Sequence, residues 1–240
     1  MHVEGAAAVV LAAGQGVRMK SKRAKVLHKL AGLEMVRHVV GSVRAAGIDR
    51  IYVVVGHQGA QVREVLEDVT CVEQAEQLGT GHAVDQCRAV LADFDGPVLV
   101  TYGDTPLFTG ATFRELLAYH TEMGAAATVI TALVDDPTGY GRIVRDEAGD
   151  VKAIVEHKDA SPSQREIREI NTGTYCFDSK LLFKYLKEIT PDNAQAEFYL
   201  PDVLPLMIKA GYKVAGYVLS DPKESLGIND RVQLAQAERI

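Results

Sequence analysis

The feature that most constrains the fold is a series of short, largely apolar runs that alternate with helical patterns. Ala7–Ala13, Ile51–Val55 and Val98–Tyr102 each have the length of one buried strand. Met35–Ala46 follows the first of these runs and Thr112–Met123 follows the third, and both have apolar residues at helical spacing. Strands that are apolar on both faces and separated by helices predict a mainly parallel sheet that helices cover on both sides. The sequence therefore predicts a doubly wound α/β fold.

The second half of the chain, after residue 125, contains more strand-like segments and fewer helices. The predicted strands there are Ala126–Val134, Gly141–Arg145, Val151–Glu156, Gly173–Phe177 and Lys213–Leu219. Asp146–Asp150 has the composition of a hairpin turn, and the polar stretch Asp159–Ile167 predicts a mobile surface loop. Shorter helices are expected at Gln61–Leu66 and Gly81–Leu91. Because no repeat or linker interrupts the chain, we expect a single domain over 1–240 with a small antiparallel lobe.

Composition limits the possible classes of protein. The 240 residues are 47% hydrophobic and 24% charged, which is ordinary for a globular chain able to bury a full core. The net charge of −6 argues against general nucleic-acid binding. The three cysteines lie far apart without a C-x-x-C pair, and no apolar stretch reaches the length of a membrane span. We expect a cytoplasmic protein with neither nucleic acid nor membrane as a partner.

The first strand runs into a glycine turn that is followed by a cluster of positive charge. Gly14 and Gly16 form the turn, and six Lys or Arg residues fall between positions 18 and 29. Glycine lets a backbone approach a ligand closely, and clustered cations favour several negative charges at one point. The segment matches neither the dinucleotide fingerprint, since Met19 takes the last glycine position, nor a P-loop. We expect phosphate binding by another scheme, the alternative being a plain turn beside a solvated basic face.

Polar residues follow the predicted parallel strands where each strand ends. The Gly14 turn, Gly56–His57 and Gly103–Asp104 all occupy such positions. In open α/β sheets ligands bind at the carboxyl ends of the strands, so these residues are expected at one edge. At this edge Asp104 is predicted to hold Mg²⁺, a cation that prefers oxygen ligands and bridges to phosphates. The alternative is a turn residue before Pro106 that bonds only its own backbone.

Other polar segments have residue types that suit a base or a sugar. Gln74 carries a donor and an acceptor that match the imide edge of uracil or the edge of another base, although by itself the segment Glu73–Ala83 is more simply a loop and helix start without a ligand. Gly79–Gly81 permits close backbone approach before a helix, with Thr80 as its expected N-cap and His82 as an ordinary residue of the first turn. Gly139–Arg142, Glu156–Lys158 and Asn171–Gly173 provide groups that could pair with sugar hydroxyls, although each is also ordinary turn chemistry. No nucleophile with a partnering base is evident, so covalent catalysis has no candidate.

As a set, these motifs resemble those of the sugar-phosphate nucleotidyltransferases. The first is Leu-Ala-Ala-Gly-x-Gly-x-Arg-Met from Leu11 to Met19, with Lys25-Val26-Leu27-His28 after it. The others, in chain order, are Gln74–Ala83, Tyr102–Asp104, Asp136–Arg142, Val155–Ala160, Ile170–Gly173, Asn193–Tyr199 and Gly227–Arg231. They cover essentially the whole chain. Together they are similar to the uridylyltransferase half of the bacterial bifunctional N-acetylglucosamine-1-phosphate uridyltransferases.

The resemblance implies a Rossmann-like, mixed and mainly parallel sheet and a Mg²⁺-dependent reaction. UTP and N-acetylglucosamine 1-phosphate would give UDP-N-acetylglucosamine and pyrophosphate, a step that feeds the synthesis of cell-wall and lipopolysaccharide precursors. Residues 1–125 would bind the nucleotide and 126–240 the sugar. By match, the catalytic cations are Arg18 and Lys25; the metal ligands are Asp104 and Asn229; the nucleotide-binding residues are Leu11, Ala12, Ala13, Gly14, Gln74, Gly79, Thr80 and Gly81; and the sugar-binding residues are Tyr102, Gly141, Glu156, Asn171 and Tyr199. The role of Asn229 and the preference for the acetamido sugar rest on the resemblance alone.

The sequence also departs from the family pattern. Val17 stands where a hydroxyl residue is common, Ala24 replaces the usual Pro before Lys25, and Phe198 replaces a common Tyr. We therefore expect one phosphate hydrogen bond fewer, a less stiff loop at Lys25 and one polar contact fewer near the sugar. The family's β-helix acetyltransferase half and its hexapeptide repeat are missing from this sequence. We therefore expect neither acetyl transfer nor the trimer that the β-helix builds. We expect a monomer.

Two alternative functions remain open from the sequence. One is a related nucleotidyltransferase that uses another sugar phosphate, such as glucose 1-phosphate with UTP or dTTP. The full motifs around Glu156 and Asn171 favour N-acetylglucosamine over it. The other is a non-catalytic protein that binds nucleotide sugars, which the joint presence of Arg18, Lys25 and Asp104 disfavours.

Overall fold

The computed structural model of the chain describes residues 5–193 and 195–240. Residues 1–4 and Ala194, which belongs to the motif Asn193–Tyr199, lie outside the described residues. The strands of the described part are β1 (Ala7–Ala12), β2 (Lys29–Leu30), β3 (Leu33–Glu34), β4 (Arg50–Val55), β5 (Thr70–Glu73), β6 (Pro97–Tyr102), β7 (Ala127–Leu133), β8 (Arg142–Arg145), β9 (Val151–Val155), β10 (Glu169–Asp178) and β11 (Val214–Val218). Its α-helices are α1 (Met35–Ala45), α2 (Gly59–Val65), α3 (Thr80–Asp85), α4 (Gly110–Met123), α5 (Pro162–Arg165), α6 (Ser179–Tyr185), α7 (Val203–Lys209) and α8 (Arg231–Ala237).

Nine of these strands build one mixed sheet, β2 and β3 form a separate antiparallel pair, and the predicted fold class is confirmed. The order of the mixed sheet is β11-β7-β10-β6-β1-β4-β5, with β8 beside β10 and β9 beside β8. β1 is parallel to β4 and β6, β4 is parallel to β5, and β10 runs antiparallel to both β6 and β7. β8 and β9 form the antiparallel hairpin expected around Asp146–Asp150. β11, expected within the antiparallel part, instead pairs parallel to β7 and continues the main sheet.

Alternate residues of the buried strands face two separate hydrophobic cores. In β1, Val9 and Leu11 pack into one core, and Val10 and Ala12 into the other. The first core also receives buried residues of α3, α6 and α7, and the second receives those of α1, α2 and α4. The sheet is therefore covered on both faces, as its apolar strands require.

Two local predictions are wrong in detail. The helix expected over Gly81–Leu91 ends at Asp85 and continues as a series of turns. At this point the backbone amides bond the third residue before them, as Gln86 does with Ala83 (3.3 Å) and Cys87 with Val84 (3.0 Å), so the α-helical pattern is not continued. The stretch Asp159–Ile167 contains the short helix α5, which Ser161 and Gln164 stabilise with a reciprocal capping box.

No helix of the described ranges combines the length and the apolar character that a membrane span requires.

Candidate active site

The predicted ligand-binding residues lie at one edge of the sheet, where β1, β4 and β6 end. The Gly103 amide donates to the Leu11 carbonyl oxygen (2.9 Å), and the His57 amide donates to that of Ala13 (3.3 Å). Leu11, Ala12 and Ala13 are buried, while Gly14 is exposed at the start of the turn. The backbone at the end of β1 therefore forms the floor of this edge.

Lys25, Asp104 and Asn229 meet above that floor. The Lys25 ammonium contacts the Asp104 carboxylate and lies 3.1 Å from Asn229 Oδ1. The Lys25 and Asp104 side chains are only 17% and 13% exposed. Gly16 packs directly on this lysine, since a Cβ at Gly16 would lie 2.6 Å from Lys25 Cβ. The glycine turn thus brings the backbone against the lysine.

The end of the chain is folded back so that Asn229 reaches the strand edge. The Ile228 amide donates to the Asp104 carbonyl oxygen (2.8 Å), which fixes the neighbouring Asn229 beside Asp104. Asp230 caps α8 by accepting from the Gln233 amide (2.8 Å). Arg231 Nε donates to the Met19 carbonyl oxygen (3.1 Å), which ties the same helix to the glycine turn.

The donor set at Asp104 and Asn229 fits a hard divalent cation. Both residues direct an oxygen at the same positive group, the Lys25 ammonium, so the position already accommodates a cation. Mg²⁺ is commonly held by one or two protein oxygens, with water and substrate phosphates completing the shell. A cluster of three or more His, Cys, Asp or Glu suited to a metal does not occur in the part of the chain that the structure describes. An incomplete protein shell of this kind is typical of a metal that binds together with its substrate.

Arg18, the other predicted catalytic cation, is not part of this contact. It lies in a single 3₁₀ turn, Val17–Met19, and is exposed. It makes no hydrogen bond or ion pair with any described residue. Val17 beside it is 75% exposed, so its side chain faces solvent.

The predicted uracil-binding segment lies next to the end of β1. The Gln74 backbone amide donates to the Val55 carbonyl oxygen (2.7 Å). Gly56 packs closely between Ala13 and Gln74, since a Cβ at Gly56 would lie 3.0 Å from both the Ala13 Cβ and the Gln74 carbonyl oxygen. The Gln74 side chain is buried, with Nε2 3.1 Å from the Gly79 carbonyl oxygen and 3.0 Å from His82 Nδ1. His82, expected to be an ordinary residue of the helix start, contacts the predicted base reader directly.

The structure corrects the expected role of Thr80 as an N-cap. Gly79, at φ +111°, takes that position, and the Thr80 hydroxyl accepts from the distant Leu200 amide (2.9 Å). The Gly81 amide donates to the Phe198 carbonyl oxygen (2.8 Å). Two of the groups predicted to read the base therefore bind the segment after residue 195. Phe198, considered above only for its side chain, contacts the glycine loop through its backbone.

Four of the predicted sugar-binding residues are grouped around the start of β10. The Asn171 amide donates to the Gly141 carbonyl oxygen (2.9 Å). A Cβ at Gly141 would lie 3.1 Å from Glu156 Oε1, and one at Gly173 would lie 3.2 Å from the Tyr102 ring. A register shift between Asn171 and Tyr175 in the pairing of β10 with β7 gives this segment its irregular shape. Bulges often re-aim side chains at sites of this kind.

Asn171 is held by partners within its own strand. Its Nδ2 donates to the Tyr175 hydroxyl (2.9 Å), and its Oδ1 accepts from the Gly173 amide (2.9 Å). The sequence analysis missed Tyr175, because a single tyrosine in an apolar strand gives no signal of a polar contact. The Tyr199 hydroxyl contacts Gln195, and desolvation followed by the charges of Glu197, Asp202 and Glu156 raises the Tyr199 pKa.

Negative charge and desolvation dominate the electrostatics of the sugar side. Desolvation by the surrounding protein, followed by the charges of Asp159 and Asp202, raises the pKa of Glu156. Glu156 is nevertheless exposed, so solvent screens part of this effect. Burial, with a contribution from Asp104, raises the pKa of Tyr102 above its ordinary value. The sequence analysis did not single out Asp202, which reaches the site only through folding.

Comparison with known proteins agrees with the geometry. The profile of the nucleotidyl transferase family matches residues 7–222. The chain belongs to the nucleotidyl transferase family. It is 56% identical over 232 residues to a protein of Brevibacillus brevis named bifunctional protein GlmU, a match that covers 96% of this chain and 50% of the relative. Proteins of the same name from Bacillus cereus (strain G9842) and Listeria monocytogenes are 53% and 52% identical over 234 residues, with 97% of this chain and 51% of each relative covered. The chain therefore spans about half the length of these relatives.

Proposed function

We propose that this chain is a uridylyltransferase that makes UDP-N-acetylglucosamine and pyrophosphate from UTP and N-acetylglucosamine 1-phosphate. The observation that carries the proposal is the meeting of Lys25, Asp104 and Asn229 at one strand edge. Membership of the nucleotidyl transferase family and the names of the relatives support the same reaction class.

In the proposed reaction, a phosphate oxygen of the sugar phosphate attacks the α-phosphorus of UTP in line. A new P–O bond forms as the bond from the α-phosphorus to the leaving pyrophosphate breaks, so the reaction needs no covalent enzyme intermediate. Lys25 and Arg18 would neutralise the charge that develops on the leaving group. Mg²⁺ held by Asp104 and Asn229 would supply further positive charge beside the phosphates. The main task of the protein is then to position its substrates.

The two sides of the edge suggest how the substrates are divided. We propose one nucleotidyltransferase domain in which residues 1–125 bind UTP, with Gln74 at the uracil, and 126–240 bind the sugar. Gly141, Glu156 and Asn171 would contact the sugar, because their mutual contacts leave a carboxylate and backbone groups beside one another. We further propose that this chain by itself is monomeric, acts in the cytoplasm and supplies cell-wall precursor synthesis.

Pyrophosphate release tests the proposal. The purified chain is incubated with UTP, Mg²⁺ and, in turn, N-acetylglucosamine 1-phosphate, glucose 1-phosphate and glucosamine 1-phosphate. We expect a strong preference for the N-acetyl sugar. Release with glucose 1-phosphate instead would keep the reaction class and overturn the assigned sugar, and no release with any sugar would favour a protein that only binds nucleotide sugars.

Metal dependence provides the second part of the test. We expect the Asp104→Ala variant to be nearly inactive and to have lost its response to Mg²⁺ concentration. Asp95→Asn is a suitable control, because Asp95 is an exposed carboxylate paired with Lys180 outside the site. An active Asp104→Ala enzyme with an unchanged Mg²⁺ response would refute the assignment of the ligand.

A further inference from the structure

The Gln74 carboxamide is fixed in one orientation by two neighbours. Its Nε2 lies 3.1 Å from the Gly79 carbonyl oxygen and 3.0 Å from His82 Nδ1. A carbonyl oxygen can only accept a hydrogen bond, so the group that faces Gly79 must be the NH₂ of Gln74. The same NH₂ faces the imidazole, and His82 Nδ1 must therefore accept its second hydrogen.

The other side of the imidazole determines where the ring carries its proton. His82 Nε2 lies 3.1 Å from Gln86 Nε2, which is also 3.0 Å from the His82 carbonyl oxygen. A neutral imidazole has one N–H and cannot accept at both nitrogens. Gln74 is buried at 3% exposure, whereas Gln86 is partly exposed, so its side chain can move away from the ring more easily than that of Gln74. The ring then carries its proton on Nε2 and keeps Nδ1 as the acceptor for Gln74.

This arrangement leaves Gln74 as an acceptor only. Both hydrogens of its NH₂ are used, and Oε1 makes no hydrogen bond within the described ranges. Uracil has a donor at N3, which such an oxygen can accept, whereas cytosine has an acceptor at N3, which it would repel. We propose that His82 is a positioning residue that holds the Gln74 amide with its oxygen towards the base, and that it thereby makes the site select uracil over cytosine. The inference rests on the proposed function, in which Gln74 reads the base.

Removing the acceptor at position 82 should make rotation of the Gln74 side-chain amide easier. In the wild-type chain the rotated amide loses its hydrogen bonds to both Gly79 and His82, whereas without an acceptor at position 82 it loses only the bond to Gly79. The rotated amide would present a donor, which suits cytosine N3. Selectivity should therefore fall because binding of CTP improves and binding of UTP weakens, and not because the site is lost.

The test measures Kd for UTP and for CTP by calorimetry in the full chain with Mg²⁺. His82→Leu and His82→Asn form a matched pair, because leucine and asparagine have similar shapes and only asparagine can place an acceptor near the original Nδ1. We expect His82→Leu to lower the preference for UTP over CTP by about tenfold or more, as for one hydrogen bond to a buried group. His82→Asn should keep most of the preference. His38→Leu is the control, since it removes a histidine that bonds the Leu30 carbonyl oxygen elsewhere.

The outcomes separate this inference from the proposed function. An unchanged ratio of the two Kd values in a folded His82→Leu variant overturns the inference while leaving the reaction intact. An equal loss of preference in His82→Leu and His82→Asn also overturns it, because that pattern indicates a role of shape alone. If the wild-type chain binds neither nucleotide, both the inference and the proposed function fail. Normal nucleotide selectivity without pyrophosphate release would refute only the reaction.

Discussion

The Lys25 ammonium contacts the Asp104 carboxylate, and the same ammonium lies 3.1 Å from Asn229 Oδ1. A cation of the protein therefore lies between the two oxygens that are predicted to hold Mg²⁺. A lysine and a divalent ion at one position repel each other, so the metal and the ammonium must compete for these oxygens. Metal binding would then release Lys25 towards the phosphates, which is where its predicted catalytic role requires it.

The competition predicts that removing the lysine improves metal binding and impairs catalysis. In Lys25→Met, we expect Mn²⁺ binding without nucleotide, followed by electron paramagnetic resonance, to tighten by several-fold. The value of kcat should fall by roughly 10² to 10³, as for the loss of one preorganised electrostatic group. Lys29→Met is the matched control, because Lys29 belongs to the same basic cluster but pairs with Glu34. Unchanged Mn²⁺ affinity in Lys25→Met would show that the two cations do not compete.

Gly14 offers a test of close approach by a ligand that is independent of stability. A Cβ at this exposed glycine would meet nothing within 4 Å, and its φ is not in the left-handed region. The folded chain therefore has no need of glycine there. We expect Gly14→Ala to keep the wild-type Tm but to weaken UTP binding about tenfold or more, since the added methyl would separate the backbone from the phosphates. Gly41→Ala, also exposed and unhindered, is the control, and normal UTP affinity in Gly14→Ala would remove the glycine turn from the binding site.

The sequence allowed the prediction of features that depend on short-range order. A buried strand that ends in glycine and a polar residue predicted where Gly14 and Asp104 would lie, because parallel strands end at a common edge. It could not predict that the Thr80 hydroxyl accepts from the Leu200 amide, since this contact joins residues 120 positions apart. The same limit applies to the Gly81 amide, which donates to Phe198. Long-range backbone contacts depend on how loops pack, and no local pattern encodes them.

The segment before Lys25 is stabilised in a way that a proline could not provide. The Ala24 amide donates to Gln61 Oε1 (3.2 Å), and Ala24 has φ −54°, a value that proline also adopts. The loss of the family's usual proline is therefore offset by a hydrogen bond to α2. We expect Gln61→Ala to reduce the free energy of unfolding by about 1 kcal/mol in the wild-type chain.

In an Ala24→Pro background the amide is absent, so the same Gln61→Ala change should cost clearly less. Chemical denaturation of the four proteins gives the coupling energy of this double-mutant cycle. Equal costs of Gln61→Ala in the two backgrounds would show that the amide contributes nothing to the stability of this segment.

Glu156 connects the charge of the sugar side to the pH dependence of substrate binding. Desolvation and the charges of Asp159 and Asp202 raise its pKa, so it takes up a proton at a higher pH than an ordinary glutamate. If the ionised carboxylate accepts from the sugar hydroxyls, KM for the sugar phosphate should rise as the pH falls through this raised pKa. Asp202→Asn removes one of the negative charges and should move that acidic limb to lower pH.

The same shift has a consequence for stability, and its sign is opposite to that of an ion-paired carboxylate. Because the pKa of Glu156 is higher in the folded than in the unfolded chain, ionisation of Glu156 favours unfolding as the pH rises through the interval between the two values. Glu156→Gln should therefore weaken sugar binding and yet leave Tm at neutral pH unchanged or slightly higher. Both effects are checked by measuring KM and Tm from about pH 4, near the ordinary glutamate pKa, to about pH 8. Asp95→Asn is the remote control. An acidic limb that stays in place in a folded Asp202→Asn variant would mean that Glu156 does not bind the sugar as a carboxylate.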